Sequence, residues 1–151
     1  MDEILAMAKD IELFNTLSID EVTMLCSHMR CYGAPRNYSL LEEGEETDNL
    51  LLILTGWVEL KQAISNTGLQ GYKEVVAGAM VGEMSLIDGQ PQPASCTTAV
   101  PTDFAVLTRE ELNRILVRSP KLANKLLIAL LRRMCSHLRE AEQAFYPGTL
   151  Q

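Results

Sequence analysis

The chain has 151 residues, of which 47% are hydrophobic and 22% charged, with a formal net charge of -7 at pH 7 and a pI near 4.8. That length suits one domain, able to bury roughly 70% of its unfolded surface, and the composition is that of a soluble globular protein rather than a disordered or fibrous one. The acidic balance disfavours direct binding to nucleic acid, which draws on Lys and Arg to neutralise phosphates; the opening Met1-Asp2-Glu3 lacks the cationic start of a signal peptide, and the longest apolar runs, Leu50 to Leu54 and Leu126 to Leu131, are too short to cross a bilayer.

A cytoplasmic location, away from membranes, is expected, and the cysteines agree with it. Cys26, Cys31, Cys96 and Cys135 form neither a CxxC pair nor a secreted disulfide framework and read as free thiols. Only Cys26, His28 and Cys31 lie close together, too few ligands for a metal or iron-sulfur site, so no metal is expected.

From Met1 to Met29 the signals are helical. Ser18 followed three residues later by Glu21 is a capping box, and a helical cap is expected over residues 1–31. Beyond Tyr32-Gly33-Ala34-Pro35 the period changes to short runs bounded by turn residues: Tyr38 to Leu41, Leu50 to Leu54, Trp57 to Ala63 and Tyr72 to Val76. The Thr55-Gly56 joint and the Ser65-Asn66-Thr67-Gly68 loop point to antiparallel hairpins. Ser95 to Val100 and Asp103 to Leu107, either side of Pro101, add two further strands. Strands of this number and brevity predict an antiparallel β-roll, a jelly-roll-like barrel over residues 32–108, with helices at both chain ends: an α+β fold, one domain over residues 1–151.

The helical signal returns in residues 109–146. Glu110 to Val117 reads as a short amphipathic helix, and Ser119-Pro120 supplies an N-cap and an N1 proline for a long one that runs to about Phe145 and stops at Pro147-Gly148. Leu127, Leu131, Met134, Leu138, Ala141 and Phe145 follow a 4-3-4-3-4 spacing, and Leu122, Leu126 and Leu130 make a second stripe. One stripe is expected to face the barrel. The other, through Leu127, Leu131, Met134 and Leu138, is the candidate homodimer face.

The most distinctive stretch lies at residues 78–95, within which Gly82-Glu83-Met84-Ser85-Leu86-Ile87 is followed by Gln90-Pro91-Gln92-Pro93-Ala94-Ser95. A strand end turns here into a short helix and then a loop. Gly82 allows close backbone approach, and the amides of Glu83, Met84 and Ser85 would point out of the helix N-terminus, where the dipole favours negative charge. Taken by itself, Glu83 reads either as a carboxylate on its own helix or as an acceptor for ligand hydroxyls, and Gln92 and Pro93 as a surface loop.

These residues resemble the phosphate-binding cassette of the cyclic-nucleotide-binding domains of catabolite-activator-type regulators, kinase regulatory subunits and gated channels. Gly44, the Leu50 to Leu54 strand with Gly56 after it, Gly78, the cassette and Leu107 to Pro120 also fall in family order, so the likeness spans Leu13 to Leu138. The resemblance implies that Glu83 holds a ribose 2'-hydroxyl and that Gly82 to Ser85 lend backbone amides. It also implies an arginine where this chain has Gln92, and a small residue donating its N–H where this chain has Pro93. Glutamine brings no charge and proline no amide hydrogen. Losing one partner of a buried charge pair costs about 2 to 5 kcal/mol, and on that scale a micromolar ligand would bind roughly 30- to several-thousand-fold more weakly.

Two functions compete on this reading. One is a regulatory module acting through a protein partner and its own second copy, with weak or absent cyclic AMP or GMP binding; the other is a genuine small-ligand receptor with a modified cradle formed by Gly82, Glu83, Met84, Ser85, Gln92, Pro93, Ala94 and Ser95. No cofactor beyond such a nucleotide is implied. A transcription regulator is not expected from these residues, since six follow Phe145 and a domain needs about 50. Nor is an enzyme, since the two histidines lie far apart and no nucleophile has a recognisable base beside it.

Overall fold

The run Leu50-Leu51-Leu52-Ile53-Leu54 carries no polar alternation because the strand it forms is buried on both faces. The structure, a computed structural model, describes residues 14–64 and 68–145. The helical cap before Phe14, the Ser65-Asn66-Thr67 turn and the Pro147-Gly148 stop lie outside them. Within the described residues the elements are α1 (Ile19–Ser27), β1 (Arg30–Ala34), β2 (Ser39–Leu41), β3 (Leu50–Thr55), β4 (Trp57–Ala63), β5 (Gln70–Val76), β6 (Met80–Val81), α2 (Glu83–Asp88), β7 (Ser95–Thr98), β8 (Thr102–Leu107), α3 (Arg109–Arg118) and α4 (Pro120–Phe145).

Two four-stranded antiparallel sheets, ordered β1-β8-β3-β6 and β2-β7-β4-β5, make the β-roll. Successive side chains of β3 point to opposite faces. Leu50, Leu52 and Leu54 therefore join one core with α1, α3 and α4, while Leu51 and Ile53 join a second core between the sheets. Gly56 makes the β3–β4 joint possible: its φ is +79°, and a Cβ there would lie 2.6 Å from Thr102 Oγ1 and 2.7 Å from the Pro101 carbonyl.

The helices cover the outer face of the β3 sheet with Val22, Leu25, Leu112, Ile115, Leu122, Leu126 and Leu130, so the second stripe of α4 does face the barrel. Ion pairs pin the helices to one another. The Lys125 ammonium donates to Glu21 Oε1 at 2.7 Å, joining α4 to α1, and Glu21 also closes the capping box with Ser18. The Lys125 hydrogen bond above all, then the Ser18 amide, hold the Glu21 carboxyl down from 4.5 to about 2 against the opposing effect of burial. His28 Nδ1 lies 2.8 Å from Glu111 Oε2, joining α1 to α3. That hydrogen bond is the main cause, ahead of nearby Arg114, that lowers the Glu111 pKa.

Several sequence expectations need correction at their edges. The helical cap ends at Ser27, and Arg30–Ala34, read as the boundary turn, is edge strand β1. Four of its five residues are exposed, which erased any alternation; pairing with β8 and the Tyr32–Phe104 stack (centroids 5.7 Å apart) hold it extended. The short helix begins at Arg109, capped by Thr108, whose hydroxyl accepts from Glu111 N at 3.1 Å. Ser119 starts α4 through its carbonyl, which accepts from Ala123 N, while its hydroxyl donates to Met24 Sδ.

Candidate ligand site

Residues 78–95 occupy the bend between the two sheets. Gly82 sits in the left-handed region, φ +87°, and a Cβ would come within 2.6 Å of the Asn49 carbonyl, so only glycine fits without displacement. The first bond inside α2 runs from Leu86 N to Gly82 O. The amides of Glu83, Met84 and Ser85 precede it and have no partner within the helix. Gly89, again left-handed, closes the helix by donating to Ser85 O.

Gln92 is not a surface-loop residue. It is 2% exposed, its side-chain amide donates to the Thr47 carbonyl at 2.9 Å, its N–H donates to Glu45 O, and its carbonyl accepts from Gly44 N. The residue clamps the 44–47 loop to the cassette. Its Nε2 lies 3.7 Å from where a Gly82 Cβ would stand, which places it beside the helix turn. Pro93 is exposed, Ala94 and Ser95 are half-buried, and the Ser95 hydroxyl accepts from Glu43 N. Met84 is 48% exposed, whereas Ser85 is 1% exposed with its hydroxyl unpartnered.

Glu83 is only 5% exposed, yet its ion-pair partners lie outside its own helix. His137 Nδ1 is 3.2 Å and Arg133 Nε 3.9 Å from Glu83 Oε1, both carried one turn apart on α4. Residues 78–95 contain no Lys or Arg and two carboxylates, Glu83 and Asp88. Positive charge therefore reaches this stretch from other elements: Arg133 of the long helix stands by Glu83, and the Arg109 guanidinium of α3 lies beside Gly89, 2.8 Å from where a Cβ would stand there. Arg133 and His137 were missed in the sequence, which offers no signal for a contact 50 residues away; the i, i+4 spacing links them only to each other.

For a cyclic nucleotide the fit is partial. The helix turn, Gly82 and a carboxylate are in place, but one donor of the Gln92 amide is committed to Thr47, Pro93 offers none, and Glu83 faces Arg133 and His137 instead of open space. Of the remaining sequence candidates, Leu127 and Met134 are half-buried, while Leu131 and Leu138 are 59% and 62% exposed. Cys26 enters the helical core and Cys31 lies exposed on β1, while His28 turns to Glu111, so that local trio disperses.

The model of the cyclic nucleotide-binding domain family matches residues 34–119. The chain is 48% identical to a cyclic nucleotide-binding domain from Methylobacillus flagellatus, whose crystal structure superposes with a TM-score of 0.85, covering 99% of this chain and 84% of that one. It is 27% identical over 135 residues to the CRP-like cAMP-activated global transcriptional regulator of Mycobacterium tuberculosis. It is 30% identical over 138 residues to the cyclic AMP receptor protein of Thermus thermophilus. Each alignment covers 89% of this chain but 58% and 60% of the relative, so the chain spans about three fifths of the curated relatives it matches.

Proposed function

The chain belongs to the cyclic nucleotide-binding domain family, and from that premise we propose that it is a non-catalytic regulatory module of the cytoplasm, acting through protein contacts, whose cassette binds cyclic AMP or GMP weakly or not at all. The observation that carries this reading is Gln92: the position for the phosphate-pairing cation is a neutral, buried clamp on Thr47. Nothing in residues 78–95 replaces that charge, and a bidentate guanidinium is the strong recognition element for phosphate.

Thermal melting with millimolar cyclic AMP or cyclic GMP tests it. A ligand held at micromolar strength stabilises by about 4 kcal/mol at a thousandfold excess, or roughly 8 to 16 °C for a domain of this size; a shift of that size overturns the reading. The expected shift is within about 2 °C, since a millimolar Kd gives well under 1 kcal/mol. Gln92→Arg with Pro93→Ala is expected to raise the affinity.

The protein contact in this reading begins with a second copy. Leu131 and Leu138 leave an apolar stripe on the outer face of α4 while its inner stripe is buried. Light scattering at tens of micromolar is expected to give a dimer mass, and Leu131→Glu with Leu138→Glu a monomer. A monomer for the unaltered chain removes the homodimer.

The alternative, a receptor with a modified cradle, is favoured by the unpartnered buried hydroxyl of Ser85 and by Arg133 and His137 beside Glu83. Saturable heat from any nucleotide, lost in Glu83→Gln, would select it.

A further inference from the structure

Away from the cassette loop, Lys125, Ile128, Ala129, Arg132, Arg133 and Ser136 line a cavity of about 530 Å³ whose far wall is the turn at residues 76–80, with Thr16 also in its lining. The six positions fall at i, i+3, i+4, i+7, i+8 and i+11, which is one face of a helix. Ala129 on one wall and Ala77, Gly78 and Ala79 on the other open the space, because none carries a side chain beyond Cβ. The volume is that of an ordinary small-ligand pocket.

Its charge is unusual for this chain. Among the described residues three cationic side chains and no carboxylate line it, in a protein of net charge -7. Lys125 is neutralised by Glu21 at 2.7 Å. Arg132 has no acidic partner among the described residues. Arg133 reaches the Met80 carbonyl only at 3.5 Å, its Nε is buried without a hydrogen bond, and among the described residues its nearest carboxylate, Glu83, is 3.9 Å away. Two guanidinium groups thus line one concave surface with, among the described residues, one loosely placed counter-charge.

We propose that this cavity is a second ligand site, selective for a small phosphate monoester. Arg132 and Arg133 take the phosphate through charge-assisted hydrogen bonds, the Ser136 and Thr16 hydroxyls meet polar groups of the ligand, and Ile128 and Met80 cover its apolar part. A phosphate monoester carries about -1.5 to -2 charges at neutral pH, matching two guanidinium groups. A cyclic phosphodiester carries one negative charge. The site shares Gly78, Ala79 and Met80 with the 78–95 stretch and borders Glu83 through Arg133, but it does not include the turn and loop at residues 82–95.

Adenosine 5'-monophosphate, cyclic AMP, adenosine and inorganic phosphate, each at millimolar concentration, separate the alternatives in amide and arginine Nε–H NMR spectra of the full chain. The monophosphate and inorganic phosphate are expected to shift residues 76–80 and the Arg132 side chain saturably, and adenosine to leave them unmoved. Arg132→Gln, at an exposed position that leaves folding intact, is expected to weaken the monophosphate about tenfold or more, the scale of one charge-assisted bond. Glu83→Gln is expected not to weaken it. The proposal fails if residues 76–80 show no saturable shift, if adenosine shifts them equally, or if Arg132→Gln binds as well as the parent. Shifts from cyclic AMP confined to residues 82–95 report on the cassette alone, so failure there and failure here are read from different residues.

Discussion

Replacing Gln92 by leucine removes the side-chain amide while keeping a similar bulk in a position that is 2% exposed. The Thr47 carbonyl then loses its 2.9 Å donor, whereas the two backbone bonds of residue 92 to the 44–45 segment remain. Leaving a buried acceptor unpaired costs about 1 to 3 kcal/mol, and Thr47 is half-buried, which places the loss toward the lower end of that range. For a chain of this length each kcal/mol moves the melting temperature by about 2 to 4 °C, so a drop of roughly 2 to 12 °C is expected. Urea titration should show a lower midpoint with an unchanged slope, the mark of altered stability without altered compactness. Exposed Gln90→Leu serves as the control, expected within about 0.5 kcal/mol of the parent. A midpoint for Gln92→Leu equal to that of the control would refute the clamp and return the Gln92 amide to the role of a free ligand donor.

Gly82→Ala should destabilise by more than about 2 kcal/mol, because left-handed backbone costs a non-glycine residue about 1 to 2 kcal/mol and the new methyl collides with the Asn49 carbonyl at 2.6 Å; a melting temperature unchanged by circular dichroism would contradict it. The Glu21 carboxyl is lowered to about 2 in the folded chain, so its stabilisation is complete above its ordinary value of 4.5 and is lost as pH falls toward 2. The stability difference between the parent and Lys125→Met, followed by urea denaturation, should accordingly shrink over that window, and a difference constant from pH 6 to pH 2 would be the contrary result. Burial pushes the thiols of Cys26 and Cys96 up to about 11 and about 12, while Cys31 and Cys135 are exposed. A thiol reagent at pH 8 should therefore label two cysteines quickly in the native chain and all four in denaturant; four fast labels would show that neither core excludes the reagent.

Much of the architecture was legible because local rules and burial agreed. The capping box at Ser18 and Glu21, the proline opening α4 and the Thr55-Gly56 joint are short-range signals, and each forms where expected. Strand β1 was illegible because an edge strand with four exposed residues carries no alternation, and only its pairing with β8 defines it. The cassette was visible as a turn, yet Gln92 looked like part of a surface loop, since nothing local announces a bond to a carbonyl 45 residues earlier.

The order of residues alone determined the glycine turns, the helix starts and the Leu50 to Leu54 strand, because each depends on φ preferences, periodicity or side-chain chemistry within a few positions; the arginine replaced by Gln92 was visible only through the resemblance to the family. The tertiary structure decided what meets what. It turned Gln92 inward to Thr47, set Arg133 and His137 against Glu83, and opened a cationic cavity between α4 and residues 76–80. Such contacts form only once two cores have closed around β3 and fixed the distance between a helix and a loop that lie far apart along the chain.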